Sequence, residues 1–237
     1  MQNIINGQSA ANDLSNEQKQ LFLTARLGDG CLYYTKSKNC IYSTNCKYKE
    51  YIDYKSKLLG NLYSYNRYIA HNGFSQTPIY EMASKSCKSL IYFKEMSLAE
   101  ILNNLNDLGI ALWFYDDGSL HKTKLFYNLN TQKFSKEENE QIAQYFKDKW
   151  NIIAIPTIER KKDGREFWYL RIRKYEGAFT ISQILKKYYV SCYDYKIISS
   201  ETIQKWSKLQ EELKNSGKTI KDFTAQKLSS LLKKIVL

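Results

Sequence analysis

The sequence predicts an α+β protein (α/β in the broad sense) that runs one plan twice, helix–hairpin–helix–hairpin–helix or αββαββα, and then adds a helical tail. Three observations predict it. Capping boxes open helices at Ser15, Ser97 and Ser135. Hairpins and helices alternate in the same order in both passes. An Asp-Gly pair follows an apolar helix in each pass, at 29–30 and 117–118, 88 residues apart. Two such pairs at matched points mark an internal repeat.

In the first pass, Ser15-Asn16-Glu17-Gln18 is a capping box, and the apolar helix behind it runs to about Leu27. Alternating segments at Cys31 to Thr35 and Cys40 to Cys46 form a hairpin around a Ser-Lys-Asn turn. A helix from Tyr48 to Leu62 leads to two strand-like stretches around His71-Asn72-Gly73, and a short helix from Ser86 to Phe93 closes the pass. The second pass opens with a helix from Leu98, capped by Ser97 with Glu100 three residues on and interrupted or restarted at Gly109. The apolar stretch Ile110 to Tyr115 then ends at Asp116-Asp117-Gly118, and Leu125 to Asn130 is the clearest strand after it. Ser135-Lys136-Glu137-Glu138 starts a helix to about Lys149, followed by a hairpin, Ile152 to Arg160 with Glu166 to Arg173, around Asp163-Gly164. A helix from Glu176 to Tyr189 completes the pass. These boundaries give domains 1–96 and 97–199 and a tail, 200–237, with helices at Glu201 to Leu213 and Ile220 to Ile235, the second behind the box Thr219-Ile220-Lys221-Asp222.

Composition narrows the function. A hydrophobic share of 43% supports real cores, and no run reaches the ~20 apolar residues of a membrane span. The first residues lack a basic-then-apolar leader pattern. Lys plus Arg number 36 against 24 acids, a net charge of +12 spread along the chain, which suits a long polyanion; a merely soluble basic protein fits the same numbers. The five cysteines form no C-x-x-C and the two histidines no zinc spacing, so unpaired thiols in a reducing compartment are expected. Most histidine-based chemistry is excluded by scarcity, with only two histidines in the chain. Catalysis, if present, falls to carboxylates, lysines and bound ions. The Lys-, Asn-, Ile- and Tyr-rich composition fits an A/T-rich genome, and the expected setting is intracellular, an organelle (mitochondrion or chloroplast) or a bacterial cytoplasm.

Each Asp-Gly alone also reads as a polar helix stop, with glycine taking a left-handed backbone. A carboxylate at a helix C-terminus, however, faces the negative end of the dipole at a cost of up to ~1 kcal/mol. Two such helices side by side would bring Asp29 and Asp117 together, an arrangement that divalent cations make tolerable. Paired carboxylates holding ions serve phosphodiester hydrolysis, and an all-oxygen site fits Mg²⁺.

The segments Phe22-Leu23-Thr24-Ala25-Arg26-Leu27-Gly28-Asp29-Gly30 and Ile110-Ala111-Leu112-Trp113-Phe114-Tyr115-Asp116-Asp117-Gly118 resemble the two signature motifs of the LAGLIDADG homing endonucleases, in the single-chain, two-motif form. Phe134 to Glu138, Tyr145 to Trp150, Tyr169 to Arg173 and Tyr195-Lys196-Ile197 resemble that family's C-terminal domain in order and spacing, and the likeness covers about residues 15 to 200. The resemblance implies two pseudo-two-fold halves with saddle-shaped antiparallel sheets laid along double-stranded DNA. It implies a monomer that cuts both strands of a long site with Mg²⁺ (Mn²⁺ or Ca²⁺ substituting for binding) and leaves four-base 3′ overhangs. A non-cleaving nucleic-acid-binding protein, such as a maturase on intron RNA, is the rival on the same scaffold. By match, Asp29 and Asp117 are metal ligands, joined by the backbone carbonyls of Gly28 and Asp116, and Lys94 and Lys196 are the basic residues of the two active centres. Leu27 and Tyr115 replace the inner acids, Thr24 and Leu112 stand where glycine allows closest helix approach, and Arg26 is unexpected.

The DNA-facing residues follow from period two along the strands. Tyr169, Arg171 and Arg173 share one face, with Trp168, Leu170 and Ile172 packed behind; Lys124, Asn128 and Asn130 share a face of the preceding hairpin. Lys122 and the hairpin cations Arg160, Lys161, Lys162 and Arg165 extend this surface. In the first half the candidates are Ser43, Asn45, Gln76 and Glu81, with Lys36 and Lys38 in a turn that suits phosphate. The tyrosines at 33, 34, 63, 65 and 68 are expected in core or rim. The tail, with eight lysines and four acids over 198–237, either packs on the second domain or adds DNA contacts through Lys221, Lys227 and Lys234.

Overall fold

The capping boxes at Ser15, Ser97 and Ser135 form. Ser15, Ser97 and Ser135 each accept the backbone N–H three residues on, while side-chain oxygens of Gln18, Glu100 and Glu138 accept the serine N–H. The computed structural model describes residues 12–69, 78–121, 125–172, 175–219 and 223–235. In the first pass, α1 (Asn16–Ala25) leads into β1 (Gly30–Tyr34) and β2 (Cys40–Cys46). Then come α2 (Lys49–Leu59) with a 3-10 turn at Gly60–Leu62, β3 (Tyr63–Ile69), β4 (Ile79–Ser84) and α3 (Ser89–Glu95). The second pass has α4 (Leu98–Asn104), α5 (Asp107–Asp117), β5 (Gly118–His121), β6 (Phe126–Leu129), α6 (Lys136–Trp150), β7 (Ala154–Arg160), β8 (Glu166–Ile172) and α7 (Tyr175–Lys187). A 3-10 segment (Ser191–Lys196), α8 (Ser200–Asn215) and α9 (Ala225–Lys234) follow.

The strands make two four-stranded antiparallel sheets of identical topology, ordered β1-β2-β4-β3 and β5-β6-β8-β7. The repeat in the sequence is thus a repeat in space. Its centre is α5, buried continuously from Leu108 to Tyr115 because it packs on α1 at one side and α7 at another. A helix apolar all round is a helix with no free face.

The structure differs from expectation at four places. The break before α5 falls at Leu105 and Asn106, because the Asn106 side chain accepts from Leu108 N–H and Gly109 N–H and so caps a new helix; Gly109 lies inside its first turn. The α1 helix stops at Ala25, with Leu27 N–H and Gly28 N–H returning to Thr24 O. The second tail helix starts at Ala225 under a Thr224 cap; of the expected box, 220–222 lie outside the described residues. Tyr33, Tyr34, Tyr65 and Tyr68 are exposed, while Tyr42, Tyr51, Tyr115 and Tyr127 fill the core. The tail itself packs on the second half. Trp206 of α8 is buried, stacked on Tyr175 of α7 at 3.8 Å.

Candidate active site

The sequence Asp-Gly recurs because each sheet starts by turning back against the helix it leaves. A methyl group on Gly30 would lie 2.6 Å from Ala25 Cα, and one on Gly118 2.5 Å from Phe114 O. Neither glycine has positive φ, so the left-handed helix stop is not what these residues form. Close approach, rather than backbone conformation, selects glycine here.

Two contacts hold the motif helices together. Gln20 of α1 donates to Asn104 O at 3.0 Å and accepts Asn106 N–H at 2.9 Å, and a methyl on Gly109 would meet its Oε1 at 2.4 Å. Further along, a methyl on Gly28 would sit 2.7 Å from Asp116 Oδ2. The tightly packed glycines of the seam are therefore Gly109 and Gly28. Thr24 is buried with its hydroxyl donating to Gln20 O and Leu21 O, both 3.0 Å, on its own helix, and Leu112 is fully buried.

The outcome is a cluster of carboxylates at one end of the seam. Protein packed around Asp117 raises its carboxyl to about 7, and the charges of Asp29 and Asp116 add to this. Asp29 is raised by the same causes, burial first and then Asp116. Opposing them, Lys133 and Lys196 act on both, and Lys55 acts on Asp29. Lys196, buried, donates to Tyr115 O at 2.6 Å and Phe114 O at 3.1 Å, capping the last turn of α5, and burial lowers it to about 8. Lys133 donates to Gly28 O at 3.4 Å, and desolvation lowers its ammonium.

Among the described residues no three His, Cys, Asp or Glu side chains gather as a metal-binding group. The donors that the family resemblance names are the Asp29 and Asp117 carboxylates and the backbone oxygens of Asp116 and of Gly28, the last of which accepts from Lys133. Asp116's own carboxylate is taken by Lys55 at 2.8 Å, Tyr51 OH at 2.8 Å and Asp29 N–H at 3.3 Å. Two hard carboxylates held near each other against their charge fit divalent ions whose remaining ligands are waters and phosphate oxygens.

Lys94 is not brought to this cluster. Its ammonium donates to Leu32 O at 2.8 Å and lies over the Tyr34 ring at 5.2 Å; the cations acting most strongly on the pair are Lys55, Lys133 and Lys196. Arg26 is exposed and pairs with no acid among the described residues; it donates to Lys94 O at 2.9 Å and to Met96 O, binding the end of α3. Sequence reasoning missed Lys133, Lys55 and the Asp116 side chain. Lys55 carries a signal: it shares the buried stripe of α2 with Tyr51, Ile52 and Leu59. Lys133 follows from register, since Gly118 pairs with Leu129 and Asn130 N–H reaches Asp117 O at 3.0 Å.

On the sheets, β8 buries Leu170 and Ile172 and turns Tyr169 and Arg171 outward, with Trp168 half-buried behind. Arg171 Nε donates to Asn128 Oδ1 at 2.9 Å, and its guanidinium lies 5.0 Å from the Phe126 ring centre. Asn130 is exposed just past β6. At the β7–β8 turn, Arg160, Lys161 and Arg165 are paired with Glu166, Glu159 and Asp163 at 2.6, 2.6 and 2.7 Å, and Lys162 is exposed beside them. On the first sheet, Ser43 and Asn45 face outward, Glu81 pairs with Arg67 at 2.9 Å, and Lys36 and Lys38 sit exposed in the β1–β2 turn. Gln76, Lys122, Lys124, Arg173 and, in the tail, Lys221 lie outside the described residues.

Residues 26–179 match the model of a family described as LAGLIDADG DNA endonucleases. The chain is 28% identical over 104 residues to a probable intron-encoded DNA endonuclease of Mycosarcoma maydis, covering 44% of this chain and 72% of that one. It is 26% identical over 183 residues to an uncharacterized protein of Methanocaldococcus jannaschii, covering 72% and 69%. Among solved structures it is similar to the homing endonuclease I-WcaI bound to its DNA recognition sequence, with TM-score 0.64, 21% identity and coverage of 78% and 87%. It is also similar to I-DmoI in complex with DNA and Mn, with TM-score 0.50, 18% identity and coverage of 72% and 98%.

Proposed function

Because the chain belongs to the LAGLIDADG DNA endonuclease family, we propose that it is a site-specific endonuclease that hydrolyses both strands of a long double-stranded DNA site, as a monomer and with Mg²⁺. The observation that carries this reading is the meeting of Asp29 and Asp117 at the end of the α1–α5 seam, backed by Lys133 and Lys196. Bound divalent ions would activate a water and stabilise the charge that builds on phosphate and leaving oxygen. The chain's own part is to hold the two carboxylates fixed and near each other, with Lys133 and Lys196 offsetting part of the cost of their charge. The Gly28 and Asp116 backbone oxygens add neutral donors. Lys133, on the Gly28 carbonyl, is placed to offset charge at the scissile phosphate. Lys196 fixes the α5 terminus that carries Asp117. The two sheets, matched in topology, offer outward faces to the duplex, and Arg171, held by Asn128, is ready for bidentate contact to guanine. Cleavage would leave 3′ overhangs.

The test is cleavage selection from a randomised duplex library with Mg²⁺, repeated with the Asp29→Asn/Asp117→Asn double variant. Expected are cut products with four-base 3′ overhangs from the wild type and a loss of at least about a thousandfold in the variant, with DNA binding kept. A wild type that binds a selected duplex yet never cuts it would sink the nuclease and favour a binding protein or an intron-RNA maturase.

A further inference from the structure

The ion pair between Lys55 and Asp116 is buried on both sides, the side chains being 2% and 3% exposed. Such a pair gives little stability by itself, since removing its charges together is often neutral. Its surroundings suggest another use. Asp116 Oδ1 accepts from Lys55 at 2.8 Å and from Tyr51 OH at 2.8 Å, which leaves Oδ2, 3.1 Å from Lys55, directed across the seam to the Asp29 N–H at 3.3 Å. On the other side of the same residue, in the peptide unit that follows, Thr44 Oγ1 donates to Asp29 O at 3.4 Å and accepts from Lys55 at 3.4 Å. Both backbone polar groups of Asp29 are thus tied to one buried lysine, through Asp116 and through Thr44. Gly28 admits the arrangement, since any side chain there would collide with Asp116.

The arrangement is one-sided. Asp116 belongs to the second motif, while Lys55, Tyr51, Thr44 and Asp29 belong to the first half. The corresponding helix of the second half, α6, buries Asn139, Ile142 and Phe146 and no lysine. Asp117 instead rests on a helix end capped by Lys196.

We propose that Asp116, clamped by Lys55 and Tyr51, is the positioning residue for Asp29: it holds the Asp29 peptide so that this one carboxylate stands in place, and it serves the first of the two centres alone. The inference rests on the nuclease reading for its catalytic consequence. Its structural part stands apart from that reading and is measured apart from it.

Two double variants avoid a lone buried charge. Lys55→Met/Asp116→Leu removes the acceptor, while Lys55→Met/Asp116→Asn keeps an oxygen able to accept the Asp29 N–H. Amide hydrogen exchange, followed residue by residue without metal, reads the tether directly. Protection at Asp29 should fall about tenfold in the Met/Leu variant and recover in the Met/Asn variant, with core amides such as those of α5 unchanged. Cleavage of a library-selected site, carried on a supercoiled plasmid to detect nicking and on a linear duplex end-labelled on one strand at a time to assign the strand, reads the consequence. The strand that Asp29→Asn slows should be cut about a hundredfold more slowly by the Met/Leu variant, so that nicked circles accumulate. Unchanged exchange at Asp29, or equal slowing of both strands, would overturn the proposal. A wild type that cuts no duplex would overturn the nuclease reading instead, and the exchange measurement would still decide whether Asp116 holds Asp29.

Discussion

At the scale of single residues, the proposed chemistry turns on Asp117. Its carboxyl, ordinarily titrating at 3.8, is raised to about 7 by burial and by the charges of Asp29 and Asp116. Between those values the folded state binds a proton that the unfolded state does not, so Asp117 makes stability fall as pH rises through that window. Asp117→Asn should therefore leave stability unchanged near pH 4 and raise the melting temperature of metal-free protein by about 2–8 °C above pH 7. Millimolar Mg²⁺, which stabilises only the carboxylate form, should shrink that gap. Thermal melts at pH 4, 6 and 8 with and without Mg²⁺ check both halves, and a gain that is flat with pH would refute the assignment. Lys133 works in the other direction, lowering Asp117. Lys133→Met should slow cleavage about 10- to 100-fold and move the midpoint of the pH–rate curve upward, with DNA affinity little changed. Sequence inspection singled out Asp29 and Asp117 by motif position and Lys196 by the Tyr195-Lys196-Ile197 segment. It found neither Lys133 nor the Asp116 side chain's role, because both depend on which backbone atoms of the other motif lie opposite.

At the scale of elements, the fold was legible wherever the signal is local. Capping boxes placed the starts of α1, α4 and α6 to the residue, and period two along β8 separated Leu170 and Ile172 from Tyr169 and Arg171. The pairing of α1 with α5 was expected from the two motifs, but its close contacts were not legible, because they join residues such as Gln20 and Asn106 that are distant in sequence. Motif spacing directed attention to Thr24 and Leu112; the tight positions are Gly109 against Gln20 and Gly28 against Asp116. Gly109→Ala puts a methyl 2.4 Å from Gln20 Oε1 and 2.5 Å from Leu105 Cδ2, and Gln20 cannot swing away without abandoning Asn106 N–H. The expected cost is about 1–3 kcal/mol, against the small gain alanine brings to an isolated helix. Chemical denaturation measures it, and an unchanged or raised midpoint would mean that the seam yields at this point. Thr24→Ser, which keeps the hydroxyl on its own helix, should be nearly silent in the same assay.

At the scale of the whole molecule, equal topology conceals unequal faces. The outward face of the first sheet carries Tyr33, Ser43, Asn45 and Tyr65, and its one arginine–carboxylate contact, Arg67 with Glu81, is already closed within the described residues. The second presents Arg171, whose Nε rests on the neutral Asn128 and whose guanidinium lies over Phe126, so that it is oriented without its charge being cancelled. An oriented cation loses less freedom on meeting a base than a mobile one. The self-pairing of Arg67 was hidden from sequence because Arg67 and Glu81 face each other across β3 and β4. The two half-sites should accordingly be read with different stringency. In a selected site, Arg171→Ala should cost about 1–3 kcal/mol and relax the preference at one base pair of one half-site, while Asn45→Ala should change affinity by less than about threefold and leave the sequence preference intact. Binding to a panel of singly substituted duplexes at fixed salt, with Ca²⁺ in place of Mg²⁺, makes the comparison without cleavage. Lys227→Ala/Lys234→Ala in the same panel separates the tail from the sheets. Phosphate contact by the tail would weaken every duplex alike and flatten the salt dependence. A tail that only packs, as the burial of Trp206, Leu209 and Leu213 indicates for α8, would leave both unchanged. Equal losses from Arg171→Ala and Asn45→Ala would mean that the two faces read DNA alike despite their composition, and that orientation by Asn128 contributes nothing to recognition.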